Sequence, residues 1–119
     1  MFFGGERMLF TSSMKYNRDF KRLYGRGKSI AAGYLVLYYQ KNKLGKNLLG
    51  ITVTKKFGKA VERNRIRRLI RECYRLRENE MHIGYNMVIV ARNRAIDADF
   101  EKIGRDLSYL LKKSGIIGE

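Results

Sequence analysis

The sequence predicts an α+β fold, an α-β sandwich in which three helices pack against one mixed sheet of about four strands. Three observations predict it. Segments of strand character (Tyr34 to Tyr39, Leu48 to Thr54, Met87 to Ala91) are interleaved with segments of helical period. The helical segments carry their apolar residues three and four positions apart, so each has one face to bury. No repeat, linker or low-complexity stretch divides the 119 residues, a length that suits one compact domain.

The elements follow in order. Residues 1–14 show no clear period and are expected to form a poorly structured arm, leaving 15–119 as the single domain. Arg18 to Tyr24 predicts a short helix, with Asn17 capping its start and Gly25 ending it in a left-handed conformation. Phe20, Leu23 and Tyr24 then share one face. Tyr34 to Tyr39 is rich in β-branched and aromatic residues and predicts a strand, whose alternation puts Tyr34, Val36 and Tyr38 together. After a polar turn, Leu48 to Thr54 predicts a second strand, with Leu49, Ile51 and Val53 opposite Gly50, Thr52 and Thr54. The short turn predicts an antiparallel hairpin. Lys59 to about Glu78 is the strongest helix, with Ile66, Leu69, Ile70 and Cys73 as its apolar stripe. Met87 to Ala91 is a continuous apolar run, the mark of a buried strand. Asp97 or Asp99 opens a last helix with the stripe Phe100, Ile103, Leu107 and Leu110, and Gly115 fits its end.

The charge narrows the function. Lys and Arg total 26 against 11 acidic residues, a net +15, and the pI is 10.3. Charge of one sign on this scale points to a polyanionic partner. Residues 55–77 hold ten basic and two acidic residues, a net +8. At about 100° per residue, Asn64, Arg67, Arg68, Arg71 and Arg75 gather opposite the apolar stripe. A row of like charges repels itself unless an anion lies across it. Arginine outnumbers lysine here seven to three, and its planar fork can hold a phosphate bidentately or stack on a base. Lys55, Lys56 and Lys59 sit at the helix start, where backbone N–H groups favour an anion.

Catalytic and metal chemistry finds little support. The only histidine, His82, is expected at the surface, and the only cysteine, Cys73, in the core. Asp97, Asp99 and Glu101 form an acidic cluster, which the helix start explains as capping. No catalytic residue or metal ligand is assigned. The single cysteine cannot form an internal disulfide, no apolar run is long enough for a membrane span, and the first residues lack signal-peptide character, so the cytoplasm is the expected compartment.

The run from Thr52 to Glu72, Thr-Val-Thr-Lys-Lys-Phe-Gly-Lys-Ala-Val-Glu-Arg-Asn-Arg-Ile-Arg-Arg-Leu-Ile-Arg-Glu, resembles the signature of the bacterial ribonuclease P protein family. It holds that family's Lys-Lys-x-Gly-Lys-Ala-Val lead-in, its Arg-Asn-Arg core and further basic residues on the same helix. Asn17 to Lys28, Tyr34 to Tyr38, Val88 to Arg92 and the last helix also fit, so the resemblance covers about Asn17 to Lys113. A second Arg-Asn-Arg, Arg92 to Arg94, lacks the lead-in and the basic helix and is taken as chance.

The resemblance implies a ribosomal-protein-like sandwich with a left-handed β-α-β crossover. It implies a subunit of an endoribonuclease that removes the 5′ leader of precursor transfer RNA, in which a large RNA hydrolyses the bond with Mg²⁺. The protein would bind that catalytic RNA and the leader. No cofactor of its own, no membrane and no obligate protein partner are expected. By motif, Arg63, Asn64, Arg65, Arg67, Arg68 and Arg71 would face the catalytic RNA, with Lys55, Lys56, Lys59 and Arg75 extending the surface. Phe20, Tyr24 and Tyr38 match aromatic positions of the family's leader cleft, and Tyr34 joins them by alternation. The competing readings are a ribosomal or RNA-assembly protein, a protein-only nuclease and, more weakly, a DNA-binding protein.

Overall fold

The structure is a computed structural model that describes the backbone of residues 2, 3 and 6–118 and the side chains of residues 8–118. Short strands β1 (Phe2–Phe3) and β2 (Glu6–Arg7) pair with each other. The remaining elements are β3 (Thr11–Ser13), α1 (Asn17–Arg26), β4 (Lys28–Ala31), β5 (Leu35–Lys41), β6 (Asn47–Thr52), α2 (Ala60–Arg77), β7 (Tyr85–Ala91) and α3 (Phe100–Ser114). The main sheet has five strands, one more than expected, in the order β3-β6-β7-β5-β4.

Strand β7 takes the centre because it is apolar on both sides. Met87 and Ile89 point into the main core and Val88 into a smaller one on the opposite face, all fully buried. β7 runs antiparallel to β5 and parallel to β6, so β6-α2-β7 is a crossover between neighbouring parallel strands. The hairpin expected of β5 and β6 does not form, because β7 lies between them. Asn42 of the connecting turn and Asn47 at the start of β6 hold the entry of β7 instead. The Asn42 backbone N–H donates to the Gly84 carbonyl at 2.8 Å, and its side-chain amide donates to Asn86 Oδ1 at 2.8 Å. Asn47 Oδ1 accepts from the Gly84 and Tyr85 N–H groups at 2.8 and 2.9 Å.

Helices α2 and α3 cover one face of the sheet, where Ile66, Ile70, Cys73, Ile103, Leu107 and Leu110 meet Leu35, Leu37, Leu49 and Met87. Each such buried aliphatic contributes about 1.5–3 kcal/mol. Asp99 caps α3 through Oδ1, which accepts from the Lys102 N–H at 2.9 Å, and Gly115 ends it at φ 82°. Phe100 leaves the expected stripe: it is exposed, and Leu111 is buried with the others. Helix α1 lies alone on the other face, where Leu23 packs with Met14 and Val88. It is longer than expected. Tyr16 stands at its N-cap without a side-chain bond, Gly25 lies within it, and Gly27 ends it at φ −74°, outside the left-handed region. Gly27 is needed for closeness: a Cβ there would stand 2.6 Å from the Leu23 carbonyl oxygen.

The expectation of a poorly structured arm is corrected for residues 8–14; residues 1, 4 and 5 of that arm lie outside the described residues. β3 pairs in parallel with β6 at Asn47–Leu49, and Met8 and Met14 are buried. A carboxylate at the end of α2 fixes this segment. Glu78, 1% exposed, accepts from the N–H groups of Leu9 and Phe10 at 2.6 and 3.1 Å and from the Thr11 hydroxyl. The Tyr74 hydroxyl also bonds Thr11 Oγ1, at 2.9 Å.

Candidate nucleic-acid interface

The amphipathic period of α2 turns its apolar stripe inward and its basic stripe outward. Asn64, Arg67, Arg68 and Arg71 line one open groove of about 670 Å³ with Val61, a residue of the first turn. Arg67 Nη1 donates to Asn64 Oδ1 at 3.3 Å, which keeps the two side chains on the same side. Burial and the neighbouring Arg67 both push the Arg71 guanidinium below its ordinary pKa. A phosphate across the groove would relieve that repulsion.

The other expected basic residues are used differently. Arg63 Nη1 donates to the Gly58 carbonyl at 2.6 Å, and Arg65 Nη2 to the Ala98 carbonyl at 2.8 Å. Each thus spends one donor on tying α2 to a neighbouring loop. Arg75 pairs with Glu72 through two bonds, of 2.5 and 3.2 Å, which offset its charge and hold the Glu72 carboxyl below the usual carboxylate range. At the helix start, Lys55 and Lys56 are exposed on a single turn anchored by buried Phe57. The Lys59 backbone N–H donates to Glu62 Oε1 at 2.8 Å, so the chain's own carboxylate already occupies part of the anion site expected there.

The aromatic residues form a second surface across the sheet. The Tyr24 and Tyr38 rings meet edge to face with centroids 4.8 Å apart, and the Tyr24 hydroxyl bonds Thr52 Oγ1 at 3.0 Å. Tyr24 is 42% exposed, so its ring is open to a base. The Phe20 ring packs close against Gly50, where a Cβ would come within 2.6 Å of two of its atoms. Tyr34 does not join them. β5 begins only at Leu35, and the Tyr34 N–H donates to Asp106 Oδ2 of α3 at 2.6 Å. This bend breaks the alternation and turns Tyr34 toward the main core, where the Arg94 guanidinium stands 5.6 Å from its ring centroid. The other arginine of that second Arg-Asn-Arg, Arg92, donates to the Ala32 carbonyl at 2.8 Å.

The two surfaces meet at one side chain. Because β3 pairs with β6 only as far as Leu49, the rest of that edge is open, and Arg71 reaches it from α2. A pocket of about 190 Å³ is lined by Phe20, Gly50, Ile51, Ser13, Met14, Leu49 and Arg71. Arg71 therefore belongs both to the basic groove of α2 and to the aromatic cleft of α1. Sequence periodicity placed Arg71 on the basic stripe, but nothing local signalled that it reaches around the sheet edge.

No three or more His, Cys, Asp or Glu side chains come together in a metal-holding group among the described residues. Of the acidic cluster, Asp99 serves as a helix cap, its Oδ1 accepting from the Lys102 N–H at 2.9 Å. His82 is exposed, and its ring Nε2 and the Gly118 carbonyl lie 2.5 Å apart. Cys73 is buried, and its thiol faces the Phe100 carbonyl at 3.7 Å. Burial pushes that thiol up to about 11, so it should resist thiol reagents at pH 8 in the folded protein and react only on unfolding. Rapid labelling of the native protein would contradict this. No helix among the described residues is long and apolar enough to cross a membrane.

Comparison with known proteins places this geometry in a family. The sequence matches the family Ribonuclease P over residues 9–115. It is 46% identical to the ribonuclease P protein component of Clostridium botulinum over 106 residues, 88% of this chain and 96% of that protein. Its identity to the component of Clostridioides difficile is 45% over 107 residues, 89% of this chain and 94% of that protein. The structure resembles the RNase P protein of Staphylococcus aureus with a TM-score of 0.82 at 34% identity, covering 89% of this chain and 97% of that one. It resembles the RNase P protein of Thermotoga maritima with a TM-score of 0.79 at 32% identity, covering 86% and 96% of the two chains. The chain belongs to the ribonuclease P protein family.

Proposed function

We propose that this chain is the protein subunit of a ribonuclease P ribonucleoprotein, in which it binds a catalytic RNA through α2 and the 5′ leader of precursor transfer RNA through the cleft beside α1. The RNA performs the endonucleolytic cleavage with Mg²⁺, in the cytoplasm, and the protein holds the leader next to it. The observation that carries this reading is the place of Arg71 in both the basic groove and the aromatic cleft. A leader lying on Phe20 and Tyr24 would thereby sit beside RNA held by Arg67 and Arg71. The division of labour suits the two ligands. Duplex RNA hides its base edges, so a rigid row of arginines reads backbone and shape. A single strand exposes base faces, which aromatic rings accept with little regard to sequence.

The cleft is tested by Phe20→Leu, which keeps an apolar side chain against Gly50, and by Gly50→Ala, whose methyl group displaces the Phe20 ring. Both should weaken holoenzyme binding to precursor transfer RNA by about 1–3 kcal/mol per base stack lost, and leave binding of mature transfer RNA unchanged. Equal losses for the two RNAs would remove the leader from this cleft.

A further inference from the structure

The side of α1 turned away from the cleft carries a separate basic tract. At about 100° per residue, Arg18 and Arg22 lie about 200° around the helix from Phe20 and Tyr24. Arg18, Lys21, Arg22 and Arg26 line an open groove of about 520 Å³ with Gln40. Arg26 and Gln40 continue from it into a pocket of about 370 Å³ that also holds Lys28, Tyr39, Lys41 and Tyr85. Neither lining contains a carboxylate. Among the described residues, Lys21, Arg22, Arg26, Lys28 and Lys41 form no ion pair, and Asp19, the acidic residue of α1, pairs with none of them. A merely solvated face mixes both signs in pairs; here Asp19 is the single acidic residue beside Arg18, Lys21, Arg22 and Arg26, too few to neutralise them.

The pocket has an ordered interior. Lys28 is the cross-strand partner of Tyr39, and Lys41 that of Tyr85, so each ring has a cation directly opposite on the same face of the sheet. The two tyrosines are half-buried, which fixes the rings while leaving part of each open. The volume falls within the roughly 300–1,000 Å³ of sites that enclose a small ligand. Paired aromatic and basic side chains on a sheet suit an unstacked base and its phosphates.

We propose that this tract is a third RNA-binding surface, in which the pocket takes one unstacked nucleotide and the outer side of α1 takes the phosphates flanking it. The proposal rests on the RNA-binding reading above and adds a strand on the opposite side of α1 from the cleft. The RNA can be a single-stranded part of the catalytic RNA or of the precursor.

The test uses the full chain with ribonuclease P RNA, and the assembled holoenzyme with precursor transfer RNA. Arg22→Glu with Arg26→Glu should lower affinity at least about tenfold in one of the two arms and flatten its log K against log salt slope by about 1.4–1.8. Loss in the first arm assigns the strand to the catalytic RNA; loss confined to the second assigns it to the precursor. Tyr85→Leu should lower affinity about fivefold or more in the same arm with the slope unchanged, as expected of a lost stack. Lys102→Glu with Arg105→Glu, the same charge change on the exposed side of α3, sets the effect of charge alone. Losses no greater than this control's in both arms, in a protein that melts normally, overturn the proposed tract, provided that Arg67→Ala with Arg71→Ala still weakens catalytic-RNA binding. If that pair is also without effect, the RNA-binding reading itself fails.

Discussion

Arg67→Ala combined with Arg71→Ala should weaken binding of the catalytic RNA about 100-fold, two charge-assisted contacts at about 1.5 kcal/mol each. The slope of log K against log salt should fall by about 1.4–1.8, since each lost phosphate contact removes about 0.7–0.9. Arg75→Ala serves as the contrast: its guanidinium is held by Glu72, so the loss should be several-fold smaller. Binding titrations over a salt series measure all of this. An unchanged slope in the double variant would remove the arginine stripe from the RNA contact.

Glu78→Ala should destabilise the protein by about 3 kcal/mol or more, because Leu9 N–H, Phe10 N–H and the Thr11 hydroxyl lose a buried, charged acceptor together. For a chain of this size that is a fall in Tm of at least about 10 °C. The loss should be local first. β3 should show fast amide exchange at residues 9–13, while the α2–α3 core stays protected until global unfolding. Met14 and Ser13 line the pocket at Phe20, so the variant should also blunt the preference for precursor over mature transfer RNA. A normal melting curve with slow exchange at residues 9–13 would show that Glu78 does not anchor the segment.

These residues also explain what a reader of the sequence could see. Helix α2 was legible almost to its ends because an 18-residue element repeats its apolar and basic stripes through five turns. The last helix was legible from Asp99 and Gly115, and β7 from its unbroken apolar run. What was hidden depends on partners far away in the chain. β3 is three residues long, too short for a period, and is held by Glu78, 67 residues from Thr11. The strand order turns on Asn42 and Asn47 bonding the entry of β7 rather than closing a hairpin. Tyr34 leaves the face of Val36 and Tyr38 because the alternation of β5 starts only at Leu35, after a bend held by Asp106.

The interface follows the same division. Periodicity identified Asn64, Arg67, Arg68 and Arg71 as one row, and they line one groove. It could not reveal that Arg63, Arg65 and Arg75 bond their own chain, since those partners depend on packing and rotamers. Phe20, Tyr24 and Tyr38 came from the resemblance to a family, and their meeting on one side of the sheet rests on Gly50 leaving space for a ring.

Under the function proposed above, this protein enables cleavage by a partner RNA. The most direct measurement incubates precursor transfer RNA with a labelled 5′ leader, at low Mg²⁺, with the protein, with a bacterial ribonuclease P RNA, and with both. The proposed role requires cleavage at the mature 5′ end with both and none with the purified protein alone. Cleavage by the protein alone would contradict it in favour of a protein nuclease, and no stimulation of RNA subunits of either main structural type would contradict it in favour of a ribosomal or RNA-assembly role.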